Sequence, residues 1–392
     1  MPWDRTTIVD QRAEFIRDWQ RQGCVARLCR VYGVSRVTGH KWIERFQAEG
    51  LVGLSDRSRR PHESPTETPA YIREALLDLR RSHSTWGPKK LVVLLERAHP
   101  SWPIPAASTA GDILSRAGLV RPSRRQRRAG SSPVPGGRGS SPNDVWCADF
   151  KGQFKLRNSR YCYPLTVSDE NTRYLLECQG FPAIRSEDVQ RRFERLFRDH
   201  GLPRRIRSDN GAPFAGTGAA RLSSLSAWWA QLGIILDRNQ PHHPEQNGCH
   251  ERMHRDLKAA TTRPPEHTFQ AQQRQFDRFR HEHNEERPHE ALGMTTPAEH
   301  YEPSARPYPK RLPEITYPGH YEVRDVDHSG CIKFRGHLLF ISKAIAHRPI
   351  GLVETDDGVW DLSFIAIPLG RYDLRNQRFS PTGGKPVRVG SR

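Results

Sequence analysis

No stretch of the 392-residue chain approaches the ~18 consecutive apolar residues that a membrane-spanning helix needs. The first residues, MPWDRTTIVDQRAEF, set charges where a signal peptide has an apolar stretch, which predicts a cytoplasmic chain with no membrane partner. Cysteine is sparse. The seven (24, 29, 147, 162, 178, 249 and 331) are scattered, odd in number and form no CxxC. That argues for a reducing compartment and against a disulfide framework or a Cys-rich zinc site. Cys24 and Cys29 fall in helical pattern and read as small core residues. Acid is the scarcer charge: 44 Asp+Glu stand against 62 Lys+Arg, a net charge of +18. Lysine is scarce too, at ten, so the other 52 basic residues are arginine. The planar arginine fork suits bidentate contacts to phosphate, so composition points to a polyanion, most often nucleic acid. A merely basic soluble protein has the same balance.

What is present is enough apolar material for several small cores. With 35% hydrophobic residues, 27% charged residues and 31 prolines, one large globule is excluded, and the length allows roughly two to four domains. Ile8, Phe15, Ile16 and Trp19 recur at helical spacing until Gly23 ends the element. Val25, Leu28 and Val31 form the next stripe. Gly33-Val34-Ser35 then makes a turn with Ser35 as N-cap, and Val37, Trp42, Ile43 and Phe46 face inward on the helix that follows. Helix, glycine turn and capped second helix make a helix-turn-helix over 1–61. Arg36, Thr38, His40, Lys41 and Arg45 occupy its outer side, where they reach DNA; an ordinary helical hairpin with a solvated basic face has the same pattern.

Residues 69–120 repeat the helical texture. Ile72, Leu76 and Leu79 form one stripe, and Leu91, Val92, Leu94 and Leu95 another. Ser108 caps a third helix. This predicts a second helix-turn-helix body, with or without a wing. Residues 121–143 contain no acid and no strong core former, and Arg124, Arg125, Arg127 and Arg128 crowd together there. Such a segment is a flexible basic connector that lies along a phosphate backbone or is simply solvated.

From 144 the pattern alternates. Strands are expected over 145–154, 162–170 and 174–180, a helix over 186–201 with Ser186 as cap, and a strand at 204–211. A helix at 219–232, a strand at 233–238 and helices near 245–260 and 268–286 follow. This is a mixed α/β body in which an antiparallel meander feeds a partly parallel sheet. Trp228 and Trp229 read as packing rather than as a base-stacking platform. The tail, 318–376, has about five short strands broken by Ser329-Gly330, Arg335-Gly336 and Asp357-Gly358, the signal of a small β-barrel.

Three carboxylates single themselves out. Asp149 sits inside the strand VWCADFKG, where a charge among Trp, Val and Phe is costly without a partner or a metal. Asp209 ends a strand and precedes Asn-Gly. Glu251 lies in the first turns of a helix. Two strand positions and a helix can converge on one point, and oxygen-only ligands suit Mg²⁺. Two such ions stabilise the attacking and leaving oxygens of an in-line phosphoryl displacement. Taken singly, each aspartate reads equally well as a turn or salt-bridge residue.

VWCADFKG, IRSDNGAPF, PHHPEQNGCHERMHRDLK and HNEERPHEALGMTTPAEHY, in this order, make the region 144–302 resemble the ribonuclease H-like catalytic core of DDE-type insertion-sequence transposases and retroviral-type integrases. The all-α helix-turn-helix N-terminal region and the small all-β C-terminal barrel resemble full-length members. The resemblance implies Asp149, Asp209 and Glu251 as catalytic acids and ligands of two Mg²⁺, with Mn²⁺ as a substitute. It implies that Arg255 and Lys258, at +4 and +7 from Glu251, meet the DNA phosphate, with the polar Asn210 and Asn247 beside the centre. It also implies binding of a mobile element's terminal inverted repeats, cleavage at its 3′ ends and joining to target double-stranded DNA. A homo-oligomer assembled on DNA, associated with a bacterial nucleoid, would do this.

Two features complicate the assignment. Glu245, with 35 residues between it and Asp209, fits the family's commoner spacing, whereas 41 separate Asp209 from Glu251. The Pro-x-x-x-Gly-x-x-Glu pattern aligns on Glu251, and AGTGAARLSSLS (215–226) accounts for the surplus as an insertion. The second is HERMH (250–254), which satisfies H-E-x-x-H and would give a zinc peptidase with Glu282 or Glu285 as third ligand. That leaves Asp149, Asp209 and the net charge unexplained. A domesticated, non-catalytic DNA-binding relative is the rival of another class. The Asp149→Asn protein separates the enzyme readings. Loss of DNA strand transfer is expected of a transposase, and full retention contradicts it.

Overall fold

The computed structural model describes residues 8–57, 67–120, 137, 139–238 and 248–389. Arg124, Arg125, Arg127, Arg128, Glu245 and Asn247 lie outside the described residues. The chain folds as two compact units, Met1–Glu67 and Thr68–Arg392.

In the first unit α1 (Ile8–Gln22), α2 (Val25–Val31) and α3 (Arg36–Glu49) close over Phe15, Ile16, Leu28, Cys29, Trp42, Ile43 and Leu54. The Ser35 side chain accepts from Thr38 N–H and caps α3, as the sequence predicts. Gly39 sits where the helices cross, and a Cβ there would lie 2.5 Å from Cys29 Sγ. Three expected core residues are outside: Ile8, Val31 and Val37 are 63%, 72% and 81% exposed. The buried stripe of α3 runs through Gly39, Trp42 and Ile43, and Val37 points well round from it. Val31 lies at the end of a seven-residue helix, too short to carry its stripe a further turn. Cys24 is exposed, whereas Cys29 is core.

The second unit opens with α4 (Ala70–Ser82), α5 (Pro88–Ala98) and α6 (Ala107–Arg116), packed on Leu76, Trp86, Leu91, Leu95 and Leu114. Ala106, not Ser108, holds the N-cap position of α6, so the serine falls within the first turn without capping it. Among the described residues no strand forms a wing on this bundle.

The α/β body comprises β1 (Val145–Phe150), β2 (Phe154–Lys155), β3 (Tyr161–Asp169), β4 (Leu175–Phe181), α7 (Ser186–His200), β5 (Arg205–Ser208), α8 (Ser224–Gln231), β6 (Ile235–Arg238), α9 (Gly248–Thr261) and α10 (Phe269–His281). A π-helical turn, Glu282–Glu286, follows α10. The sheet runs β2-β3-β1-β5-β6, with β4 paired to β3. β3 is antiparallel to β1 and β4, whereas β1, β5 and β6 are parallel, so the meander does feed a parallel half. Strand alternation divides the two faces. Trp146, Ala148, Leu165 and Val167 pack with Phe193 and Phe197 of α7 and with Trp228 and Trp229 of α8. Cys162, Leu175 and Cys178 pack with Met253 and Leu257 of α9 and with Phe276 and Phe279 of α10.

Local chemistry corrects several expected boundaries. The strand expected over 145–154 breaks at Lys151–Gln153, where Gly152 takes φ +75°. Arg185 holds the N-cap position of α7, and Ser186 is its first helical residue. The helix expected over 219–232 starts at Ser224, capped by Ser223 in a capping box, and Ala219–Arg221 is a separate 3₁₀ turn.

Over 318–376 the tail has six strands where about five are expected, β7 (Glu322–Asp325), β8 (Cys331–Phe334), β9 (His337–Phe340), β10 (Pro349–Asp356), β11 (Val359–Phe364) and β12 (Ile367–Asp373), and two more follow, β13 (Arg378–Pro381) and β14 (Val387–Arg388). Six form one antiparallel sheet, β14-β13-β12-β11-β10-β7, and β8-β9 form a hairpin over the same core. That core continues into Ala219, Leu222, Ala227 and Ala230 of the α/β body. Ala219 N–H donates to Ile341 O at 3.1 Å and Ala220 N–H to Thr382 O at 3.0 Å. The surplus between the second and third acids is thus a platform for the tail. A Cβ on Gly218 would lie 2.5 Å from Ser342 Oγ. Gly218→Val is therefore expected to destabilise the full chain by about 1–3 kcal/mol through overpacking. Denaturant unfolding checks this, and an unchanged midpoint contradicts it.

Candidate active site

Asp149 stands one residue beyond Ala148, which pairs with Ser208 on the parallel neighbour β5, and Asp209 stands one residue beyond Ser208. Register alone therefore brings the two aspartates side by side at the ends of adjacent parallel strands. Asp209 is exposed. Its Oδ1 accepts from Gly211 N–H at 3.1 Å, and a Cβ on Gly211 would come within 3.0 Å of Oδ2. Two residues earlier, Arg207 is buried between Glu170 and Asp237, at 2.8 Å from each. That ion triad ties the strand delivering Asp209 to its neighbours.

The helix α9 supplies the third acid. His250, Met253, His254, Leu257 and Thr261 form its buried face, while Glu251, Arg252, Arg255 and Lys258 are exposed. Glu251, Arg255 and Lys258 share one outward stripe, as their spacing predicts. Asn210 is half-buried next to Asp209. The side chain of Asp149 is 26% exposed. Burial pushes its carboxyl up to about 7, the Asp209 charge adds to this, and the Glu251 charge adds less; the Phe150 N–H and Lys151 oppose it. Asp149 therefore feels the charges of both other expected acids. Such a set of oxygens, repelled while bare, suits a divalent cation.

Beneath them lies a network that the sequence did not disclose. Thr166 pairs with Asp149 across β1 and β3. Its Oγ1 is 2.8 Å from His250 Nε2 and 2.6 Å from His254 Nε2. Ser168 Oγ is 2.9 Å from His250 Nδ1. His254 Nδ1 lies 3.7 Å from Asp149 Oδ2. Burial drives both histidines toward the neutral form, His250 down to about 3. This geometry speaks against the peptidase expectation with Glu282 as third ligand. Both ring nitrogens of His250 are already engaged, and Glu282, an expected third ligand, lies 3.3 Å from His83 Nδ1 instead. Among the described residues the cluster able to hold a metal joins these histidines to Asp149. Lys151, whose charge acts on Asp149 and both histidines, is a further neighbour that strand pattern alone did not single out.

The remaining expected residues are spread more widely. Arg36, His40 and Lys41 are exposed on α3. Thr38 Oγ1 lies 2.9 Å from Ser35 Oγ within the cap, and Arg45 lies over the Trp42 ring at 5.0 Å. Arg287 Nη2 donates to Asp256 Oδ2 on α9 at 2.7 Å, so the Arg-Pro-His segment packs against the helix that carries Glu251. His83, Lys89 and Arg97 of the second helical bundle pair with Glu282, Glu290 and Glu299 nearby. Among the described residues no helix is long and apolar enough to cross a membrane.

Comparison with known proteins gives matches along most of the chain. Family models match for a helix-turn-helix domain at 11–62, a homeodomain-like domain at 38–114, integrase core domains at 139–244 and 232–297, and an IS481 family transposase C-terminal domain at 321–380. The uncharacterized 39.2 kDa protein of insertion element IS476 from Xanthomonas euvesicatoria is 27% identical over 72% of this chain and 79% of its own. The uncharacterized 31.7 kDa protein of insertion element IS407 from Burkholderia multivorans is 27% identical over 66% of this chain and 90% of its own. Among solved structures, a chain of the simian T-cell lymphotropic virus intasome in complex with PP2A regulatory subunit B56 gamma is 16% identical, with a TM-score of 0.37, over 75% of this chain and 97% of that one.

The Asp149 shift has a definite sign. Its folded-state pKa, about 7, lies above the ordinary 3.8. The stabilisation it gives is complete below the unfolded value and lost as pH rises through about 7. The Tm of the metal-free protein is therefore expected to fall between about pH 4 and 7 more steeply than that of the Asp149→Asn protein. Parallel Tm-against-pH curves for the two proteins contradict this.

Proposed function

Because the chain has the make-up of an insertion-sequence transposase, with helix-turn-helix DNA-binding domains and an integrase catalytic core, we propose that it cuts at the 3′ ends of a mobile element and joins them to target DNA. The family supports polynucleotidyl transfer in general, and this chain's own residues suggest how it proceeds. The observation that carries the proposal is the register that sets Asp149 and Asp209 on adjacent parallel strands, together with the Glu251 charge on α9 that also acts on Asp149. In this proposal they are the catalytic acids and hold two Mg²⁺, with Mn²⁺ as a substitute. Such ions supply activation of the attacking oxygen and stabilisation of the leaving one.

The protein's own part is to position the DNA. Arg255 and Lys258, on the exposed stripe with Glu251, contact the phosphates flanking the scissile bond. Asn210 lies next to Asp209 at the same centre; Asn247, which the resemblance assigns there, lies outside the described residues. Burial around Asp149 lowers the local dielectric, which strengthens every charge contact made there. In the first cut water attacks the phosphodiester at the element end and the 3′-oxygen leaves as a 3′-OH; that hydroxyl then attacks a target phosphate and displaces the target strand's own 3′-oxygen, so no covalent protein–DNA intermediate forms. Arg36, Thr38, His40, Lys41 and Arg45 on α3 read the terminal repeats, while Arg124, Arg125, Arg127 and Arg128 follow the backbone. Two DNA ends have to be held together, so the working form is a homo-oligomer assembled on DNA.

The test uses DNA carrying the inverted repeats that flank this reading frame. Mg²⁺-dependent cutting and joining are expected from the wild type. In the Asp209→Asn protein both should fall by about 10²–10³-fold or more, the scale on which a lost electrostatic stabiliser acts. Full activity of that variant contradicts the assignment of Asp209. Cutting without joining indicates a nuclease, and binding without either indicates a non-catalytic relative.

A further inference from the structure

The two histidines of HERMH have no part in the three-carboxylate reading, and both are within hydrogen-bond distance of Thr166. Thr166 Oγ1 has one proton, two lone pairs and three neighbours: Asp149 O at 3.2 Å, His250 Nε2 at 2.8 Å and His254 Nε2 at 2.6 Å. We take the hydroxyl to donate to Asp149 O, which can only accept, so that its lone pairs accept from Nε2–H of both rings. Each imidazole, neutral because it is buried, then has a bare Nδ1. That of His250 accepts from the Ser168 hydroxyl at 2.9 Å. That of His254 faces Asp149 Oδ2 at 3.7 Å, one acceptor opposite another and beyond hydrogen-bond range.

Two lone pairs set against each other leave a place for a cation. Ligand bonds of about 2.0–2.2 Å from each donor span such a gap at a bond angle of roughly 120°. His254 follows Glu251 by three residues on α9, and Glu-x-x-His on one helix is an arrangement by which carboxylate metal centres in helical bundles take one oxygen and one nitrogen ligand from the same element. His250, with both nitrogens engaged, holds Thr166 in place.

We propose that His254 Nδ1 is a nitrogen ligand of the metal position built on Asp149, so that the centre is a mixed oxygen and nitrogen site. This rests on the assignment of Asp149 as a metal ligand. An imidazole ligand favours Mn²⁺, Co²⁺ and Zn²⁺ over Mg²⁺ more than an all-carboxylate cage does. The motif that imitates a zinc peptidase then works as Glu-x-x-His, with its first histidine structural and its second a ligand.

Mn²⁺ added to the full-length protein is the probe. Pulsed electron paramagnetic resonance should detect a directly bonded nitrogen, and its signature should change when the unmutated protein carries isotopically labelled histidine, a readout that needs no variant to fold. His254→Asn should remove the nitrogen signal and weaken Mn²⁺ binding about tenfold or more, with Mg²⁺ binding affected less. Mn²⁺ that binds in an Asp149-dependent way without nitrogen coupling overturns the proposal and leaves the carboxylate centre standing. Mn²⁺ binding that is indifferent to Asp149→Asn overturns both.

Discussion

Holding a half-desolvated carboxylate beside two others is the constraint on which the α/β body depends. Asp149 cannot shed its burial, because β1 lies between β3 and β5 with helices on both faces. It cannot move from Asp209, because the register of two parallel strands sets their spacing. Left bare, the site responds by holding a proton on Asp149 near neutrality. A divalent cation relieves the same repulsion without a proton, which makes metal binding and the fold's electrostatic strain two sides of one balance.

The surroundings have the stiffness that such a balance requires. Arg207 locks the approach to Asp209 through two buried acids, and Gly211 N–H holds the carboxylate from the other side. Arg287 clamps α9 through Asp256, and Met253 and Leu257 seat the same helix in the core. Each unit has its own exposed basic residues. Arg255 and Lys258 lie outward on α9, and Arg36, His40 and Lys41 lie outward on α3. The net charge of +18 belongs to the chain as a whole, and on α9 itself two basic side chains share the outward stripe of Glu251.

Period and punctuation made most elements legible. Alternation disclosed β1, β3 and β4, glycine and serine marked the turn before α3, and the acids stood out as charges in apolar strands. What stayed hidden depends on distance along the chain. The bond from Thr166 to both histidines requires the β1–β3 register and the docking of α9, neither of which is a local property. The platform of 215–226 looked like a loop insertion, because its partner lies more than a hundred residues further on. Val31 and Val37 are exposed for local reasons: α2 is only seven residues long, and Val37 points away from the buried stripe of α3. H-E-x-x-H misled because a motif records ligand types without recording where their nitrogens point.

The measurement that bears most directly on the centre is anomalous scattering from crystals of the full chain soaked in Mn²⁺. The account predicts density bounded by Asp149, Asp209 and Glu251, abolished in Asp149→Asn crystals. Manganese bound only elsewhere on the surface, with the three carboxylates unliganded, would contradict it.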